Sequence, residues 1–187
     1  MHRLFSFHNR VFALVETGGD VLLPLLARFV FAAVLLFYFW HSAVTKLGDG
    51  IFGFLNPSTG AYAQIFPKQM ESVSYDVSQL GTGHWLVAVL GTWAEFLLPA
   101  LIVLGLFTRL AALGMIGFVV IQSLTDVYGL GQTDAQSLGA WFDGASGSLI
   151  LDQRSFWIFL LLYLVAKGGG LLSVDALLRR VMPPGLR

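Results

Sequence analysis

Glu95 stands inside the apolar run VLGTWAEFLLPALIVLG, and its chemistry is the first thing the sequence asks to have explained. An ionised carboxylate in hydrocarbon is costly unless a partner neutralises it. Three more polar side chains, Arg28, Gln122 and Tyr163, stand in separate apolar runs. At about 1.5 Å per residue, counted from one end of each run, Arg28 lies roughly 9 Å in, Tyr163 roughly 14 Å, Glu95 roughly 18 Å and Gln122 roughly 20 Å. Polar groups at such depths turn inward and pair. The spacing therefore predicts one cluster in which Arg28, Gln122 or Tyr163 satisfies Glu95. Such a cluster either clamps helix register, as some buried ionic groups do, or floors a polar pocket and relays a proton through Glu95.

His41 and His84 are the other titratable candidates, each next to a tryptophan, Trp40 and Trp85. At about 100° per residue, Arg28, Leu35, Phe39, Ser42 and Lys46 share one helix face, and His41 lies about 140° away from it. One reading is an aromatic belt at the membrane interface with solvated histidines. The other is a proton-accepting pair at the mouth of a pocket, for which the near-neutral pKa of histidine is suited. Two histidines without a third ligand make no metal site. Asp134, Asp143 and Asp152 match no EF-hand spacing and read as solvated charge. The chain has no cysteine, which excludes disulfides, thiolate metal sites and dithiol redox chemistry of its own.

These residues need a membrane frame to position them. Of the 187 residues, 56% are hydrophobic and 12% charged, whereas a soluble domain is about a quarter charged; mean hydropathy is +0.75. Lys plus Arg and Asp plus Glu balance at 11 each, so nothing points to nucleic acid. Four runs, at about 21–44, 85–107, 110–127 and 155–172, reach the roughly 20 residues that a spanning helix needs. The first is too long for a cleavable signal and is expected to be a true span. GLFTRL divides the second run from the third as a tight helical hairpin. Arg3, Arg10, Arg109, Lys167, Arg179, Arg180 and Arg187 fall on one side and Lys46, Lys68 and Arg154 on the other, so both termini are predicted to be cytoplasmic. In a bacterial cell the membrane would be the cytoplasmic (inner) one. The stretch RLFSFHNRVFALVE, with Leu4, Phe7, Val11, Leu14 and Val15 on one face, predicts an amphipathic helix lying on the inner leaflet. Two long outer connections follow. The first, with Phe52, Phe54, Tyr62, Phe66 and Tyr75, is expected to cap the bundle mouth or dip into the interface. The second is expected to hold a short helix, with Asp152 or Ser155 as N-cap of the last span. Ser173 and Asp175 are expected to cap a terminal amphipathic stretch. The fold class is an all-α four-span bundle, the chain a single membrane domain.

LLARFVFAAVLLFYFWHSAVTKL, WAEFLLPALIVLGLFTRLAA and GGGLLSVDALL together resemble the DoxX family of small four-helix membrane proteins. The resemblance covers all four spans but not the details of the two outer connections. It implies a membrane subunit associated with oxidoreductases, including small subunits of a thiosulfate:quinone oxidoreductase. On that basis the pocket is expected to bind a quinone-like head group, ordered by Arg28 and Glu95 and bordered by His41, Trp40 and His84. No flavin, dinucleotide or haem motif is present, so an electron carrier would be the quinone or belong to a redox-enzyme partner. A non-enzymatic scaffold or accessory protein is the alternative. A small-solute transporter is a third reading, although no inverted repeat is visible.

Overall fold

The structure, a computed structural model, describes residues 2–181, apart from a few side chains near the N-terminus. It is all-helical, with no strand among the described residues. The chain runs through α1 (His2–Phe31), a π-helical turn (Ala32–Leu36), α2 (Phe37–Lys46), α3 (Thr59–Ile65) and α4 (Pro67–Ser72). A 3-10 turn (Val77–Gln79) leads to α5 (Thr82–Leu104) and α6 (Thr108–Leu124), which continues into a second π turn (Thr125–Gly129). A third π turn (Leu149–Gln153) opens α7 (Arg154–Lys167), and α8 (Val174–Val181) follows. Four stretches are long and apolar enough to cross a membrane: Phe5–Lys46, Thr82–Leu104, Thr108–Gly129 and Leu149–Lys167.

The expected spans and the observed ones differ most at the two ends of the chain. The predicted interfacial helix is continuous with the first span. Nothing between Val15 and Val21 compels a break: Gly18 and Gly19 each cost only about 1 kcal/mol in a helix. Leu4, Val11 and Leu14, on which the predicted amphipathic face partly rests, have side chains outside the described residues. The last span starts earlier than expected, at Leu149, because Ser148 opens it. The Ser148 hydroxyl accepts from the Asp152 amide at 3.2 Å, and Asp152 accepts from the Ser148 amide at 2.9 Å. This is a reciprocal cap, in which Asp152 is the returning partner rather than the cap itself. The span ends at Lys167, where Gly168 adopts φ +77°. The second connection holds turns and no helix between Leu130 and Ser148.

The core runs down the bundle axis. Phe31, Leu35 and Phe39 supply it from the first span, Ile102 from α5, Ala112, Met115 and Val119 from α6, and Leu161 and Leu164 from α7. Many other apolar side chains, such as Phe29, Leu97, Ile121 and Phe159, point outward and are exposed, as a bundle solvated by lipid requires. At one end, here the hairpin end, α5 turns into α6. Gly105 closes α5 in the left-handed region at φ +71°, with the Leu106 amide bonded back to Leu101 and that of Gly105 to Ile102, a Schellman-type ending. A Cβ on Gly105 would stand 2.5 Å from that of Ser173, so the position requires glycine twice over. The long connections lie at the opposite, loop end.

Candidate functional site

Glu95 is buried, and its partner is Lys46. The Lys46 ammonium lies 3.0 Å from one Glu95 oxygen and 3.1 Å from the other, and it donates to the Ser42 hydroxyl at 2.6 Å. Lys46 is the last residue of α2, and its long stem carries the charge back into the bundle. Trp40 fixes α2 against α5 by donating its indole N–H to the Phe96 carbonyl at 3.1 Å. Pro99 follows Glu95 by one turn and has no amide to give its carbonyl, which leaves α5 free to bend at this level.

The pair lies at one end of a cavity of about 530 Å³ between α5, α6 and the end of α2. Its walls are apolar, with Leu90 and Gly91 from α5 and Phe118 and Ile121 from α6; Gln64 and Ile65 of α3 cover it. Leu90 and Ile121 are exposed, so the cavity has a side facing out between α5 and α6. A second ion pair stands at its other end. Asp126, on the π turn after α6, meets the Arg154 guanidinium at 2.7 Å, and Arg154 also donates to Ser123 at 2.9 Å. Both π turns at the loop end thus present a member of this pair or lead directly into one, in keeping with the frequency of such distortions at functional sites.

Arg28 does not pair with Glu95. Arg28 donates to the carbonyls of Ile102 and Val103 at the end of α5, and to those of Gly169 and Leu172 in the turn after α7. The geometric reason is that helical side chains lean toward the N-terminus, which carries the Arg28 head toward the hairpin end and away from Glu95. Those carbonyls lie in the last turn of α5 and just beyond the end of α7, where a cation is favourably placed. Arg28 therefore belongs to a clasp at the hairpin end and not to the cavity.

The same clasp recruits Asp175. Phe107, the residue before α6, adopts φ +48° and has no side-chain acceptor to cap the helix. Asp175 reaches across from α8 and accepts from the Phe107 and Thr108 amides at 2.7 and 2.9 Å and from the Thr108 hydroxyl at 2.7 Å. Ser173 caps α8 as expected, accepting from the Ala176 amide at 3.1 Å; Asp175 instead caps a different helix. Burial opposes its charge, but the hydrogen bonds from Thr108 and Phe107 outweigh it and hold the carboxyl below the usual aspartate range. A carboxylate lowered on folding stabilises the protein above its unfolded pKa, and that stabilisation is lost as pH falls through the folded value. Asp175→Asn is therefore expected to lower the melting temperature at neutral pH and to flatten its decline in acid. A melting series from neutral to acidic pH in detergent checks both.

The other predicted residues separate. Gln122 lines the cavity and donates to the Tyr38 hydroxyl at 3.3 Å, while its Oε1 is buried without a hydrogen-bond partner among the described residues. The Tyr163 hydroxyl is likewise buried and lacks a hydrogen-bond partner among them, its ring lying against the core. His41 is exposed on the outward face, as its angle from Arg28 implies. The His84 ring packs on Phe66 at 4.8 Å. Neither histidine lines the cavity, so Glu95 and Gln122 are the only predicted site residues that meet there. Lys46, Asp126 and Arg154 were missed because all three counted as loop charges. The signal for Lys46 lay in the helical face it shares with Ser42. No group of three His, Cys, Asp or Glu among the described residues is placed to hold a metal ion.

The DoxX family model matches residues 23–125, a little over half of the chain. No curated protein and no solved structure matches it.

Proposed function

Since this chain belongs to the DoxX family and is an integral membrane protein with four helices long enough to span, we propose that it is a membrane subunit of a redox system that takes a quinone-type head group into the cavity between α5 and α6. The observation that carries this reading is an apolar chamber with polar groups at its ends and a side facing the bilayer, the form in which small amphipathic ligands are held. The charge pairs that reach its wall, Lys46–Glu95 and, through Asp126, Arg154–Asp126, are internally neutral. A neutral ring bearing oxygens fits them; an anionic lipid head would meet a carboxylate at either end. The chain binds the ligand and offers Glu95 as a proton-handling group, while the electron donor or acceptor belongs to a partner docked at the membrane surface.

The orientation follows from the cations that are not held in buried pairs; Lys167 is among them, its partner Asp20 being an exposed one at 2.8 Å. With Lys46 and Arg154 occupied in buried pairs, the loop end keeps Lys68, while the hairpin end carries Arg109, Lys167, Arg179 and Arg180. The positive-inside rule then puts the hairpin end and both termini in the cytoplasm, and in a bacterium the loop end in the periplasm. The whole chain acts as one membrane domain.

One observation favours a purely structural scaffold: Lys46 and Glu95 already satisfy each other. A photoreactive short-chain quinone separates the two readings. Saturable crosslinking to α5 and α6 is expected, abolished by Gly91→Phe, which fills the chamber, and not competed by oleate. Crosslinking that neither saturates nor responds to Gly91→Phe would decide for the scaffold.

A further inference from the structure

Two contacts fix the depth at which the chain runs between the first and second spans. Lys46 ends α2 beside Glu95, and Glu95 lies roughly 20 Å along α5 from its start at Thr82. Phe66, at the far end of α3, packs against His84, roughly 3 Å from that same start. Even after the length of the lysine stem is allowed for, the chain begins its return well below the start of α5. It must then climb alongside that helix. Two indoles mark the route: Trp93 donates to the Phe54 carbonyl at 2.9 Å and Trp85 to the Leu55 carbonyl at 2.8 Å. Trp93 is roughly 17 Å and Trp85 roughly 5 Å down α5, so the backbone that both indoles reach lies between those two levels, within one leaflet of a hydrocarbon core about 30 Å thick.

Irregular backbone at that depth is stable only if its polar groups are satisfied within the protein. Here the flanks are closed, whereas the amides of Asp49, Gly50, Ile51, Phe52 and Phe54 bond no acceptor among the described residues and need the hydrated ester layer at the edge of the leaflet. The Gly48 amide bonds the Gly53 carbonyl, the Gly53 amide that of Gly50, the Leu55 and Asn56 amides that of Phe52, and the Ser58 amide that of Lys46. Gly48 and Gly53 allow this self-closure: a Cβ on Gly53 would stand 2.0 Å from the Gly48 oxygen. The outward surface is apolar, with Ile51 84% exposed and Phe52 60%. Asp49 is the single charge between Leu47 and Pro67.

We propose that Leu47–Asn56 is a loop that dips into the leaflet at the loop end, its tip amides in the interfacial layer and the side chains of Ile51, Phe52, Phe54 and Leu55 contacting lipid acyl chains. Its surface continues the exposed apolar face of α5 at Leu86 and Leu97, and at this depth the neighbour of that face is hydrocarbon. α2 therefore stops short of the far surface. The inference rests on the membrane-spanning bundle and is independent of what the cavity binds.

The absence of native cysteine makes the test direct. Nitroxide labels are placed by Ile51→Cys, Phe52→Cys and Asp49→Cys, with Leu86→Cys as the lipid-facing reference and Ser78→Cys as the aqueous one. The protein is reconstituted in phosphatidylcholine–phosphatidylglycerol vesicles, and collision with oxygen is compared with collision with a water-soluble nickel chelate. Positions 51 and 52 are expected to match Leu86, oxygen dominating, with the ratio inverted at Ser78. Nickel-dominated collisions at 51 and 52 would overturn the proposal in favour of an aqueous loop. Low accessibility to both reagents would overturn it in favour of a protein partner. Both side chains are exposed, so labelling them leaves the fold intact, and an unchanged circular dichroism spectrum of each labelled variant confirms it.

Discussion

Lys46→Met is expected to destabilise the protein by about 3–5 kcal/mol, the cost of leaving one member of a buried ion pair without the other. Lys46 and Glu95 are both buried, and Ser42 is the one further polar partner of the ammonium. Glu95 would be left facing the cavity with no cation. Adding Glu95→Leu to Lys46→Met should recover most of the loss, because a neutral, packed pair often equals or exceeds a buried ionic one in stability. Reversible unfolding of the two single variants and the double variant in detergent yields the coupling directly. Strict additivity would mean that the two groups do not stabilise one another.

Arg28→Met should be the other severe change, and its damage should be confined to the hairpin end. Arg28 serves four carbonyls from two helix ends, and hydrogen bonds from a charged donor contribute about 1.5–3 kcal/mol each before non-additivity. A loss of about 3–5 kcal/mol is expected. Arg28→Lys should recover only part, since an ammonium cannot fork across acceptors on two separate segments. Hydrogen exchange gives the location: amides at 105–108 and 168–176 should lose protection, while those around Glu95 keep theirs. Loss of protection around Glu95 to the same degree would contradict the separation of the clasp from the cavity. Arg28→Met and Glu95→Leu should accordingly be additive.

The existence of the four long apolar helices was legible because it rests on local composition: run length, charge depletion and the Gly105–Thr108 break. Which polar groups meet was not, because depth along a helix does not say which way a side chain leans. Arg28 and Glu95 lie at heights that an extended pair could bridge, yet the Arg28 head points to the hairpin end and finds carbonyls. Lys46 was already on the correct face with Ser42, but as the last residue before a glycine-rich stretch it read as a surface charge. Asp126 and Arg154 were hidden in the same way, one in a π turn and the other directly after one, neither announced by any local pattern. The GLFT and GGGLLSVD stretches stood out in the sequence as two separate motifs. In space they are the two halves of one contact, joined by Asp175 and by the Asp175 amide bonded to the Gly105 carbonyl at 2.8 Å.

That contact has a mechanical consequence. The clasp ties α5, α6, α8 and the first span together at one extremity, whereas the chamber occupies the other. The hairpin is thus a fulcrum and the two helices are its arms. Over an arm of about 34 Å, an opening of about 5° at the fulcrum parts the far tips by roughly 3 Å. The same rotation hardly disturbs the bonds at the pivot. At Leu90, about 22 Å from the pivot, the same rotation would part the helices by roughly 2 Å while the joint that sets helix order stays shut.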